Sequence, residues 1–64
     1  KPGKSAKVEI GENVLIGPNA KIFKGVKIGN NSIIANGAVV RRSVPDDMLV
    51  FGNPARQGFG LFQD

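Results

Sequence analysis

The sequence predicts an all-β fold: a parallel β-helix with a C-terminal capping loop and tail. Three observations carry this reading. A large aliphatic residue recurs every sixth position, at Ile10, Ile16, Ile22, Ile28, Ile34 and Val40. A second series of small residues runs at Val14, Ala20, Val26, Ser32, Ala38 and Val44, and Asn, Gly or Ser stands just before each of these, at Asn13, Asn19, Gly25, Asn31, Gly37 and Ser43. Six residues of α-helix turn through about 600°, which leaves successive isoleucines about 240° apart and makes no helical stripe. A long straight strand would bring Glu12, Pro18, Lys24, Asn30, Asn36 and Arg42 onto its inner face. A chain that bends once per hexad avoids both difficulties, and hexapeptide periodicity is a signature of the parallel β-helix.

The elements follow in order from Val8. Each strand is a triplet, beginning at Val8–Ile10 and ending at Ala38–Val40, with a small residue inward, the middle residue outward and a large one inward. Three-residue corners separate the triplets. Their last residues are mostly Asn or Gly, which accept a positive φ at least cost, as a sharp corner between short strands requires. The coils are expected over residues 8–45 of a single domain, 1–64. After Pro45 the period stops, so 46–64 reads as a cap and tail rather than a further coil.

Composition narrows the function classes. A chain of 64 residues buries only about 60% of its unfolded surface and is marginal by itself. It contains no cysteine and no histidine. That removes disulfides, Cys- or His-based metal sites and the most common general base near neutral pH, so no metal is expected. Nine Lys and Arg against five Asp and Glu leave a net charge of +4, suited to an anionic partner such as a phosphate or nucleotide. No apolar run approaches the roughly 20 residues of a membrane span, and "KPGKSAK" lacks the apolar stretch of a signal peptide. A cytoplasmic protein is expected, without a membrane or nucleic-acid partner. Because residue 1 is Lys, the chain is expected to be processed, trimmed or one piece of a larger protein.

The segment "SVPDDMLVFGNPAR", Ser43 to Arg56, together with the hexads "IGNNSIIANGAVV", resembles the C-terminal part of the hexapeptide-repeat acyl- and acetyltransferases. Val44, Pro45, Val50, Gly52, Pro54, Ala55 and Arg56 match that family's coenzyme A dependent members. The resemblance implies a left-handed coil of three hexads, although the general crossover rule favours the right-handed form. It also implies about two coils here, with residues eighteen apart stacked: Ile10 under Ile28, Ile16 under Ile34, Ile22 under Val40 and Asn13 under Asn31. In that register Leu15 and Ile33 stack outward on one face, Lys21 and Val39 on the next, Glu9 and Lys27 on the third. An apolar flank on a solenoid needs cover. Family members are typically trimers with active sites between subunits, so a homotrimer through Leu15, Ile33 and Val39 is expected; the alternative cover is the tail, with Phe51, Phe59, Leu61 and Phe62.

The resemblance implies acetyl-CoA or coenzyme A as co-substrate. Such a cofactor needs accessible backbone groups along its pantetheine arm and cations at its phosphates. Ala35, Asn36 and Gly37 form a small corner that in the family contacts pantetheine, and Gly17 and Pro18 lie in the corner below. Arg41 and Arg42 stack over Phe23 and Lys24, and Arg56 follows the Gly-Asn-Pro-Ala turn, in which Pro54 and Ala55 are expected beside the adenine end. Good corner geometry and ordinary surface charge are the competing account of the same residues, and Arg56 is favoured for the phosphates by its motif position. Phe23 reads as a shield for the stack or as an aromatic wall. Asp46 and Asp47 are adjacent in a turn and point apart, so a catalytic carboxylate pair is not expected.

No catalytic residue is assigned, because the family's base is a histidine upstream of the matched part. The leading reading is the C-terminal, cofactor-binding part of an acetyl-CoA-dependent acyltransferase acting on a hydroxyl or amino group of a sugar or other small acceptor, with the catalytic coils on the missing N-terminal part. The competing reading is a non-catalytic β-helix module for trimerisation.

Overall fold

A computed structural model describes residues 6–60, apart from the side chain of Phe59. Six two-residue strands repeat at six-residue intervals: β1 (Glu9–Ile10), β2 (Leu15–Ile16), β3 (Lys21–Ile22), β4 (Lys27–Ile28), β5 (Ile33–Ile34) and β6 (Val39–Val40). They are followed by β7 (Met48–Phe51) and β8 (Arg56–Gly60). β1 pairs with β4, β2 with β5 and β3 with β6, all parallel, which defines three faces of a rod. The register is the one expected: Ile10 lies against Ile28, Ile16 against Ile34 and Ile22 against Val40.

The corners form as their residue types predict. Asn13, Asn19 and Asn31 have φ of 58°, 63° and 63°, and Gly25 and Gly37 have 83° and 74°. This is the left-handed region, which Asn and Gly enter with least steric penalty. One corner carries an amide ladder, with Asn13 Nδ2 donating to Asn31 Oδ1 at 3.3 Å. Beside it, Asn30 Oδ1 accepts the Glu12 N–H at 2.8 Å, so the side chain supplies an acceptor between coils.

The triplet rule is clearest in the second coil. Val26 and Ile28, Ser32 and Ile34, and Ala38 and Val40 are buried, while Lys27 between the first pair is exposed and Ile33 and Val39 are half-buried. The first coil is less protected: Val14, Ala20 and Ile22 are half-buried, and Ile10 is 49% exposed and Ile16 42%, against 3% for Ile28 and 1% for Ile34. The interior is closed by the coil above and open at the N-terminal end.

Beyond Val40 the structure departs from the sequence reading. Val44, expected over Val26, lies against Ile28 instead. From there the spacing to the coil below is sixteen: Asp46 Oδ1 accepts the Asn30 N–H at 2.8 Å, and β7 pairs parallel to β5 with Leu49 on Ile33 and Val50 on Ile34. The corner after Val40 is two residues short. The positive φ expected at the Ser43 corner is absent, and the next positive φ comes at Asp47 (55°), which stacks above Asn31 in the following corner. Ser43 instead accepts the Lys27 N–H on its hydroxyl at 3.0 Å. The coil thus continues past Pro45, where the hexad pattern ends, and Val44 and Val50 join the core. Asp46 and Asp47 serve as corner residues.

The third face is completed by a turn, not a strand. Val39 donates its N–H to Gly52 O at 2.9 Å and accepts the Ala55 N–H at 2.8 Å, so Gly52–Ala55 lies across β6, with a cis Asn53–Pro54 peptide. β8 then pairs antiparallel with β7, with an irregularity between Leu49 and Val50, and covers its outer edge. It continues the stack β2-β5-β7-β8 beyond β7 and leaves Leu15 65% exposed, so no described part of the tail covers that flank; Leu61, Phe62 and the side chain of Phe59, offered above as cover, lie outside what is described.

Ser32 is the one buried polar residue among those described, at 0% exposure. Its hydroxyl donates to Pro45 O at 2.8 Å and accepts the Met48 N–H at 3.2 Å, so it ties the second coil to the re-registered segment. Replacing Ser32 by Ala leaves two backbone groups without partners, which is expected to cost about 1–3 kcal/mol. A urea-unfolding midpoint unchanged in Ser32→Ala contradicts this role.

Candidate functional site

The expected site residues gather in two groups on either side of β6. The first is the corner Ala35–Gly37, stacked on Gly17–Asn19. Gly37 donates its N–H to Pro18 O at 2.9 Å, and Ala38 donates to Ala35 O at 3.1 Å to close the turn. The two glycines of this stack differ in kind. A Cβ on Gly17 would meet the backbone N of Asn36 at 2.6 Å, so packing between coils already requires glycine there. At Gly37 an added Cβ would meet nothing within 4 Å, and Asn36 and Gly37 are both exposed. The main chain at Gly37 is open to a ligand.

The second group surrounds a cleft of ≈ 510 Å³ at the C-terminal end of the coil. Arg41, Arg42, Pro54, Ala55 and Arg56 all line it, so the structure brings together the five residues that the motif and the basic corner singled out separately. Its apolar lining comes from Val40, Val44 and Val50, exposed by only 1%, 6% and 2%, and Ser43 and Gln57 complete the wall. Sequence reasoning does not name these wall residues as site residues: Val40 and Val44 carry an inward-hexad signal, Val44 and Val50 match the family motif, and neither signal places them beside a cleft.

The cleft follows from the short corner. Cutting two residues from the turn after Val40 takes the chain across the end of the coil, and the Gly52–Ala55 turn closes the opposite side. Arg56 comes from the start of β8, whose position is fixed by its pairing with Phe51. One Arg56 guanidinium nitrogen donates to Ala55 O at 3.2 Å. Arg41 lies over the Phe23 ring with its Cζ 5.3 Å from the ring centroid, as stacking residues eighteen apart implies. The charge is wholly cationic around this rim, with no carboxylate among the lining residues. Between the two groups, Ala38–Val40 spans about 10 Å of extended chain. An elongated anionic ligand that uses both an exposed backbone corner and a guanidinium-rich cleft fits this surface.

Residues 7–42 match the bacterial transferase hexapeptide family (six repeats). The chain belongs to that family. The coil is left-handed, in agreement with the resemblance and against the general crossover preference. A 2,3,4,5-tetrahydropyridine-2,6-dicarboxylate N-acetyltransferase of Staphylococcus aureus is 44% identical over 55 residues, which is 86% of this chain and 23% of that protein. Among solved structures, a hexapeptide-repeat-containing acetyltransferase of Vibrio cholerae O1 biovar eltor, complexed with acetyl coenzyme A, matches with a TM-score of 0.88 at 41% identity. That match covers 91% of this chain and 32% of the Vibrio chain. PerB of Caulobacter crescentus, in complex with CoA and GDP-perosamine, matches with a TM-score of 0.82 at 37% identity, over 84% of this chain and 26% of that one. The chain therefore spans about a quarter to a third of the length of these hexapeptide-family relatives.

The contrast between the glycines is measurable. Gly17→Ala forces the Asn36 backbone to shift and is expected to destabilise by about 1–3 kcal/mol. Gly37→Ala meets no atom and is expected to incur only the left-handed backbone penalty of about 1–2 kcal/mol. Thermal melting of the two variants checks this. An unchanged melting temperature in Gly17→Ala contradicts the packing assignment.

Proposed function

We propose that this chain is the C-terminal, cofactor-binding part of an acetyl-CoA-dependent acyltransferase that acetylates a hydroxyl or amino group of a sugar or other small acceptor in the cytoplasm. The observation that carries the reading is the cleft where Arg41, Arg42 and Arg56 converge beside the Pro54–Ala55 turn. Several guanidinium groups at one rim suit a ligand with phosphates, because each presents planar paired donors and a fixed charge. Pro54 and Ala55 supply a small apolar surface for a planar base. The corner Ala35, Asn36 and Gly37, with Gly17 and Pro18 beneath it, offers main chain to an extended amide-containing arm.

Coenzyme A has these parts in this order: a phosphorylated nucleotide at one end and a two-amide arm at the other. When bound, its acetyl thioester supplies the acyl group. The residues described here bind and orient; none of them is a base positioned for the acceptor. The chain has no histidine. The proton-accepting step is assigned to coils outside this sequence, and the open N-terminal end, where Ile10 and Ile16 lie half-exposed, is a surface on which such coils fit. The relatives support the class of acceptor: one is an N-acetyltransferase by name, and another was crystallised with GDP-perosamine.

Assembly follows from the outer surface. Leu15, Ile33 and Leu49 form an outward column on one face, with Val39 half-buried on the next. Leu15 is 65% exposed, and a homotrimer would bury this column. The competing reading, a trimerising rod without catalysis, shares this column but does not account for a cleft rimmed by three arginines.

Titration of the intact protein with coenzyme A separates the two. Binding is expected, and Arg56→Gln is expected to weaken it about tenfold or more, the usual effect of losing a hydrogen bond to a charged partner. Absence of binding to the wild-type protein rejects the cofactor reading. In a separate measurement, Leu15→Lys combined with Ile33→Lys is expected to lower the mass in solution, and an unchanged oligomer rejects this face as the interface.

A further inference from the structure

Phe23 and Arg41 hold the same corner in successive coils, and nothing in the packing of the core requires an aromatic ring there. Phe23 is 45% exposed and Arg41 is exposed, so the pair lies outside the interior. The backbone that carries the ring nevertheless has a fixed place. Phe23 donates its N–H to Val40 O at 2.9 Å, which anchors it to the residue just before Arg41, and its carbonyl accepts the Val26 N–H at 3.3 Å within its own corner. The Arg41 Cζ then lies over the ring at 5.3 Å from its centroid. Arg41 also lines the C-terminal cleft with Arg42 and Arg56. One side chain is thus both stacked on an aromatic face and aimed along the rim of the anion-binding surface.

The chemistry of the pair explains why that combination is useful. A guanidinium stacked on a ring keeps its charge, and its N–H donors lie at its edge, where an oxyanion can still reach them. An unsupported arginine on an exposed corner samples many rotamers, and ordering it on binding opposes affinity. We propose that Phe23 is a positioning residue for cofactor binding: it holds Arg41 at the rim of the cleft, ready for a phosphate. This rests on the cofactor reading above. Coenzyme A offers two kinds of phosphate, the 3′-monoester and the diphosphate, and the stacked guanidinium suits either.

The test is calorimetric titration of the intact protein with coenzyme A, for the wild type and for Phe23→Leu, Phe23→Tyr, Arg41→Gln and the double variant Phe23→Leu with Arg41→Gln. Phe23→Leu is expected to weaken binding about two- to fivefold, the effect of losing an exposed cation–π contact. Phe23→Tyr, which keeps the ring, is expected to restore wild-type affinity. In the Arg41→Gln background, Phe23→Leu is expected to have no further effect. A purely structural role for the ring would weaken binding equally with and without Arg41, and that result overturns the proposal. So does unchanged affinity in Phe23→Leu. Should Phe23→Leu fail to fold, Arg41→Lys, which keeps the charge but stacks less well, is expected to show a comparable loss, and wild-type affinity there overturns the proposal. Repeating the series with 3′-dephospho-coenzyme A assigns the phosphate: a penalty that persists places Arg41 at the diphosphate, and one that disappears places it at the 3′-monoester. Wild-type protein that does not bind coenzyme A overturns the cofactor reading and this assignment together, whereas normal wild-type binding with an indifferent Phe23→Leu overturns the assignment alone.

Discussion

Everything in this molecule depends on the parallel register between coils. Each rung lies roughly 4.8 Å above the last, and a parallel pair is built only if the chain returns to the same angular position after a fixed number of residues. Three hexads meet that condition, which is why Ile28 lies on Ile10, Ile34 on Ile16 and Val40 on Ile22. The corners are what make the return possible: each needs a residue in the left-handed region, and Asn or Gly stands at each of the five regular ones. With the register held, inward residues bury one another without further specificity. The burial of Ile28 and Ile34 beside the exposure of Ile10 and Ile16 shows that identical positions gain their protection from the neighbouring coil, not from their own sequence.

The cleft arises where that register is broken. After Val40 the spacing falls from eighteen to sixteen, seen in the Glu12–Asn30 and Asn30–Asp46 contacts of one corner stack. A regular third coil would extend the rod and present one more polar corner. The shortened one brings Arg41 and Arg42 to a cleft whose inner wall is formed by the edges of the buried Val40, Val44 and Val50. The Gly52–Ala55 turn, anchored to both backbone groups of Val39, then brings Arg56 to the same rim. The irregular segment is tied to the coil below by backbone bonds at Val44, Asp47 and Val50, and the Ser32 hydroxyl, bonded to both Pro45 and Met48, adds the one buried side-chain link among the described residues. The regular part of the fold thus supplies a rigid platform, and the irregular end supplies the concavity and charge.

Much of this was legible from the residues. The period specifies the strands, the Asn and Gly positions specify the corners, and the eighteen-residue stacking places Arg41 over Phe23, as found. The sequence-level reading went astray at Val44. Either register puts a valine inward there, over Val26 or over Ile28, and hydrophobicity does not distinguish them. That ambiguity also hid the third-coil character of Met48–Phe51, because a two-residue deletion erases the hexad pattern while leaving the parallel pairing intact. The cleft walls escape the sequence for the same reason: Val40 and Val44 read as inward hexad positions, and Val50 as a motif residue of the cap.

The sequence by itself determined the repeat, the inward and outward faces, the corner residues, the family and the cationic residues at the C-terminal end, because all of these follow from local periodicity, residue type and a short motif. Only the tertiary structure decided that Arg41, Arg42 and Arg56 share one cleft, that Gly17 is held by packing while Gly37 opens to solvent, and that the coil continues past Pro45. Those facts depend on how far the chain advances around the rod at a single irregular corner. That distance is set by which backbone groups find partners on the coil below, and no local pattern in the residues encodes it.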